Sequence, residues 1–118
     1  MHQEPKRPIP AKRPALSGPQ IVARLAALTS WKLWGDGETL SIEKTYAFES
    51  YLQAMAFANA VAFLAEQKDH HPILQIGYKS CSVRWRSHDV AGISERDFTC
   101  AALVDELRDP PQSGSKLG

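Results

Sequence analysis

Apolar positions along this chain keep two different periods. Leu40, Ile42, Lys44, Tyr46 and Phe48 share one phase, and Cys81, Val83, Trp85 and Ser87 share another, with mostly polar or charged residues between them. A period of two belongs to a strand with one buried face, so both runs are predicted strands. Trp31 to Trp34 and Leu74 to Tyr78 are shorter strand candidates, joined to their successors through Gly35-Asp36-Gly37 and the tight Tyr78-Lys79-Ser80 region.

The other period is helical, and capping signals open each stretch. A Ser side chain can accept from the third helical amide while an acidic or amide side chain at that position reaches back. Ser17 with Gln20 precedes an Ile21, Leu25, Leu28 stripe. Ser50 with Gln53 precedes the Ala54 to Ala65 run, and Ser94 with Asp97 precedes Phe98, Ala101, Ala102 and Leu107. Leu16 with Ile21, and Ile93 with Phe98, are spaced as hydrophobic staples.

The predicted order is therefore αββαββα. Strands joined by short turns run antiparallel, and helices gathered over the apolar side give an α+β two-layer sandwich, a four-stranded antiparallel sheet with three helices on one face. The middle helix is apolar almost all the way round, more than one core face requires, which predicts burial against another subunit in a homodimer or homotetramer. A core of about 90 ordered residues is modest, so association would also add stability.

Composition narrows the function. With 14 basic and 13 acidic residues in 118, the formal charge is +1, so no global field draws in nucleic acid or an anionic membrane. The longest apolar stretch, Ala54 to Ala65 interrupted by Asn59, falls well short of the roughly 20 residues of a membrane helix. Two cysteines, Cys81 and Cys100, are too few for a disulfide scaffold, and no secretory signal opens the chain, so a reduced, cytoplasmic protein is expected. Five of the eight prolines fall in the first twenty residues, interleaved with Lys6, Arg7, Lys12 and Arg13. Residues 1–15 are thus expected to form a flexible basic tail, a candidate contact for an acidic protein partner; 16–108 form the domain, and 109–118 a second tail.

The candidate chemistry lies between Glu66 and Asp97. Glu66 is followed after three residues by His70-His71-Pro72, then come Tyr78, His88 and Asp97, so three of the four histidines share one segment. Imidazole serves as both acid and base near neutrality, and histidines gathered with carboxylates suggest proton traffic. If the helix continues to Asp69, Glu66 stacks one turn before His70, while the helix C-terminus and Asp69 place negative charge beside that ring, as suits a proton donor. Pro72 stops the helix and biases His71 toward an extended conformation, so the two rings point in different directions. His88 follows the Cys81 to Ser87 strand, in a loop with Ala91 and Gly92.

Plainer roles stand beside these. His70 alone would suit a helix C-cap and His88 an exposed loop; it is their shared spacing that favours a site. Asp97 has a sufficient role as partner of Ser94, and Arg96 is placed either to touch a ligand or to be solvated. Adjacent His70 and His71 lack the separation that aims two rings at one ion, which disfavours a metal centre. Cys81 and Cys100 sit at core-facing positions and read as buried small hydrophobes rather than nucleophiles. No Gly-rich phosphate loop or serine-hydrolase elbow occurs.

This spacing, with the flanking runs Ala65-Glu66-Gln67-Lys68-Asp69-His70-His71-Pro72 and His88-Asp89-Val90-Ala91-Gly92-Ile93-Ser94-Glu95-Arg96-Asp97, resembles the pterin-4a-carbinolamine dehydratase family. Trp31 and Glu43-Lys44-Thr45-Tyr46-Ala47-Phe48 are similar to that family's early tryptophan and aromatic strand, so the likeness covers roughly Ile21 to Leu107. The resemblance implies the same architecture and dehydration of 4a-hydroxytetrahydropterin to quinonoid dihydropterin, with no metal or organic cofactor. It implies His70 and His88 as an acid/base pair, His71 as mainly substrate-binding, and Glu66, Asp69, Pro72, Asp89, Arg96 and Asp97 as supporting residues. It also implies an alternative, because some members act as dimerisation or assembly partners of other proteins. Ile73-Leu74 depart from the acidic and aromatic residues common after the proline, and the basic tail is an extension; both leave the histidines untouched.

Overall fold

The computed structural model describes residues 15–109, so the two expected tails lie outside it but for Ala15 and Asp109. In chain order the elements are α1 (Gly18–Ala26), β1 (Lys32–Trp34), β2 (Ser41–Ala47), α2 (Tyr51–Lys68), β3 (Ile73–Gly77), β4 (Ser80–Trp85) and α3 (Glu95–Arg108). Short 3-10 turns at Gly37–Thr39 and His88–Val90 complete the backbone. The order is the αββαββα expected.

The helices begin where the caps stand. Ser17 accepts from the Gln20 amide while Gln20 Oε1 accepts from the Ser17 amide at 2.8 Å, a complete capping box. At α2 the Ser50 hydroxyl accepts from the Gln53 amide, but Gln53 reaches one residue further back, to the Glu49 amide at 2.9 Å. At α3 the Asp97 carboxylate accepts from the Ser94 amide at 2.9 Å, as the spacing predicts.

All neighbouring strands are antiparallel, in the order β1-β2-β4-β3. The two hairpins join through β2 and β4, in register from Ile42 opposite Trp85 to Ala47 opposite Ser80. The alternation then assigns the faces. Ile42 and Tyr46 of β2, with Cys81, Val83 and Trp85 of β4, are buried under the helices. The opposite face is polar at its centre, where Arg84 pairs with Glu43 at 2.8 Å and lies 3.6 Å over the Trp34 ring.

Ala54, Phe57, Ala58, Val61 and Ala65 form the inward stripe of α2, and Phe98, Ala101 and Val104 that of α3. Ile42, Val61, Val83, Ile93 and Val104 are fully or almost fully enclosed, each contributing about 1.5–3 kcal/mol of hydrophobic stabilisation. Asp105 ties the far end of α3 to the sheet. It accepts from Trp31 Nε1 at 3.1 Å, Lys44 Nζ at 2.8 Å and the Tyr46 hydroxyl at 2.5 Å. The end of α2, the exit of β4 and the start of α3 converge elsewhere, where three of the chain's histidines lie.

Candidate active site

The way α2 ends decides where His70 goes. The helix stops at Lys68, and Asp69 takes the left-handed conformation (φ 52°, ψ 42°) that Asp tolerates better than most residues. The Asp69 amide donates to the Glu66 carbonyl at 3.3 Å and the His70 amide to the Ala65 carbonyl at 3.1 Å, a Schellman-type ending. The chain turns inward at that point, so the stacking of Glu66 on His70 does not form. Glu66 pairs instead with His71, Nε2 to Oε2 at 2.7 Å, in an exposed contact.

His70 is buried and pairs with Asp97, Nε2 to Oδ1 at 2.6 Å. Asp97 is wholly enclosed, and its other oxygen accepts from the Ser94 amide at 2.9 Å and the Ser87 hydroxyl at 2.8 Å. A carboxylate receiving that many donors is an acceptor, so His70 Nε2 carries a proton and Nδ1 is left for other chemistry. The ring stacks on buried Trp85, with centroids 5.1 Å apart at 20°. Asp97 thus does more than cap α3: it holds His70 in one orientation.

His88 arrives by a different device. Ser87 and Gly92 exchange backbone hydrogen bonds at 2.8 and 3.2 Å, pinching residues 87–92 into a narrow loop that turns through His88–Val90. Ala91 takes a left-handed conformation (φ 52°) to close it. His88 is exposed, and its Nδ1 lies 3.0 Å from Arg86 Nη1. Arg96, on the first turn of α3, is exposed and pairs with Asp89 across the same loop.

These groups surround a cavity of about 410 Å³ lined by Asp69, His70, His71, Arg86, His88, Asp89 and Arg96. Six of those seven residues were singled out from the sequence; Arg86 was not. Glu66 and Pro72 do not line the cavity, and Asp97 lies behind His70. A second hollow of about 240 Å³ adjoins through His70 and Arg96, bounded also by Lys68, Glu95, Thr99 and Cys100. Among the described residues, no group of three His, Cys, Asp or Glu side chains is disposed to hold a metal ion. Cys81 and Cys100 are buried, and burial, with the Asp97 charge second, pushes the Cys100 thiol up to about 11. A thiol so placed stays protonated at neutral pH.

A sheet covered on one face by three helices, with a buried carboxylate–histidine pair opening on a cavity shared by two more histidines, defines an α+β domain with a histidine-lined cavity. The family model for pterin 4 alpha carbinolamine dehydratase matches residues 14–107, and the chain belongs to that family. A relative from Paracidovorax citrulli is 53% identical over 95 residues, covering 80% of this chain and 82% of that protein. One from Nitrosospira multiformis is 39% identical over 101 residues, covering 86% of each. Both are provisionally named pterin-4-alpha-carbinolamine dehydratases.

Among solved structures, a transcriptional coactivator/pterin dehydratase from Brucella melitensis superposes with a TM-score of 0.72 at 26% identity, over 79% of this chain and 97% of that one. A pterin dehydratase-like protein described as a RuBisCO assembly factor in the alpha-carboxysome superposes with a TM-score of 0.58 at 29% identity, over 70% and 93%. Among the described residues, no helix is long and apolar enough to cross a membrane.

Proposed function

We propose that this chain is a cytoplasmic hydro-lyase that dehydrates 4a-hydroxytetrahydropterin to quinonoid dihydropterin in tetrahydropterin recycling, with residues 16–108 as the catalytic domain. The observation that carries the reading is the His70–Asp97 pair at the wall of a cavity that also holds His71 and His88. Loss of water from a carbinolamine needs a proton delivered to the departing hydroxyl and another removed from a ring nitrogen. His70, with Nε2 held by Asp97, takes the ring proton at Nδ1, and the carboxylate stabilises the imidazolium that results. His88 serves the hydroxyl, and exposed His71, braced by Glu66, contacts the substrate. Asp89 and Arg96 form the polar rim, Asp69 turns the chain so that His70 faces inward, and Pro72 leads into β3.

The test is the rate at which purified protein dehydrates freshly generated 4a-hydroxytetrahydropterin, followed by appearance of the quinonoid product. Wild-type acceleration that falls about 10²–10⁴-fold in folded His88→Ala is the expected result. A folded wild type no faster than buffer would refute the reading.

A second reading rests on a specific surface. Leu52 and Phe63 of α2 are 78% and 73% exposed and Tyr51 is 50% exposed, apolar area that a monomer has no use for. In our reading this face joins copies of the chain in a homodimer or homotetramer, or receives another protein as an assembly partner.

A further inference from the structure

We infer that Arg86 is a positioning residue for His88, fixing the tautomer in which Nε2 carries the hydrogen, and that His88 therefore works on the donor side of the reaction. The inference rests on the dehydratase reading for its chemistry but not for its geometry. Ser87 is extended (φ −111°, ψ 101°), so Arg86 and His88, two residues apart, lie on one side of the chain while Trp85 and Ser87 turn into the core. Arg86 Nη1 sits 3.0 Å from His88 Nδ1. A guanidinium has five donors and no acceptor, so only one assignment makes this a hydrogen bond: Arg86 donates and Nδ1 offers its lone pair. The neutral ring must then carry its hydrogen on Nε2.

Two further observations support a dedicated role. Among the described residues, His88 is the only side chain hydrogen-bonded to the Arg86 guanidinium, and the enclosed Arg86 Nε has no partner at all. Arg96, the other arginine at the cavity, is by contrast paired with Asp89, and Arg84 on the sheet is paired with Glu43. Arg86 also lines the cavity itself. Among the described residues, the side-chain hydrogen bond that Arg86 makes goes to an imidazole nitrogen, where it orients the ring.

The two histidines are thereby set in complementary states. His70 has Nε2 committed to Asp97 and Nδ1 open to receive a proton; His88 has Nδ1 committed to Arg86 and Nε2–H open to donate. In the dehydration, the ring nitrogen's proton passes to His70 Nδ1, the N–H electron pair forms the carbon–nitrogen double bond, and the carbon–oxygen bond breaks with its electron pair on oxygen. The leaving hydroxide accepts a hydrogen bond from His88 Nε2–H and takes the proton that His70 received. One water departs and both rings return to their starting states.

Long-range ¹H–¹⁵N correlation spectra of ¹⁵N-histidine-labelled protein at mildly alkaline pH report the tautomer directly, with His88 assigned by its loss in His88→Gln. We expect wild-type His88 to show a protonated Nε2 and an acceptor Nδ1. Arg86→Met should shift both nitrogens toward the average of two tautomers, while Arg86→Lys, still a donor, keeps most of the wild-type pattern. In the dehydration assay Arg86→Met should lower kcat about 10–100-fold, the range for one hydrogen bond to a charged group, with KM little changed and partial recovery in Arg86→Lys. Circular dichroism checks that both variants fold. A wild-type His88 protonated on Nδ1, or a spectrum unaltered by Arg86→Met, would overturn the inference. A fixed tautomer in a wild type without dehydratase activity would instead retain the hold of Arg86 on His88 and remove the proposed reaction.

Discussion

At the scale of single residues the decisive contact is His70 with Asp97. Asp97 is fully enclosed and accepts three hydrogen bonds, so Asp97→Asn turns one acceptor oxygen into a donor facing other donors. We expect a loss of about 1–3 kcal/mol in stability, read from urea unfolding, and a fall of at least about tenfold in kcat/KM. The sequence held both residues in one spacing pattern but led to the wrong partner for His70. Helical spacing sets Glu66 one turn before His70, and only the left-handed turn at Asp69 breaks that stacking. Nothing local distinguishes this ending from one more helical residue. Arg86 falls on the phase of β4 opposite the apolar one, which by itself predicts solvation, and its separation of two from His88 is the one local signal of its contact. Cys100 is the buried small hydrophobe its position predicts, and its protonated thiol should resist alkylation in the native protein and react once unfolded.

At the scale of elements, alternation and caps made the strands and helices legible because both are local. The order β1-β2-β4-β3 depends on β2 meeting β4 across the whole of α2, a long-range pairing that period alone does not specify. The tie at Asp105 is of the same kind, gathering Trp31, Lys44 and Tyr46 from distant positions. Burial first, then the hydrogen bond and charge of Asp105, push the Tyr46 phenol above its ordinary value, so it stays protonated and donates. Asp105→Ala strands three donors, and an unfolding measurement should show a loss of about 1–3 kcal/mol. Asp105 lies about 12 Å along α3 from Asp97, so the rate of dehydration should stay within a few-fold of wild type. A large rate effect would mean that α3 shifts as a rigid body.

At the scale of the whole molecule, one face of α2 builds the core and the other is left bare. Apolar residues all round this helix predicted that excess, and Leu52 and Phe63 are where it surfaces. Light scattering on wild type and on Leu52→Glu/Phe63→Glu should show an oligomer reduced to a smaller species, since two charges cannot enter an apolar interface without partners. The variants should fold, because neither side chain is in the core. A monomeric wild type would leave the surface for a different protein.

The proposed reaction depends on His70 as the group that moves the proton, and chemical rescue tests that most directly. Dehydration of 4a-hydroxytetrahydropterin should be fast with wild type, slower by about 10²–10⁴-fold with folded His70→Ala, and partly restored in that variant by added imidazole. A His70→Ala protein that matches wild type, or a folded wild type that does not outpace buffer, would contradict it.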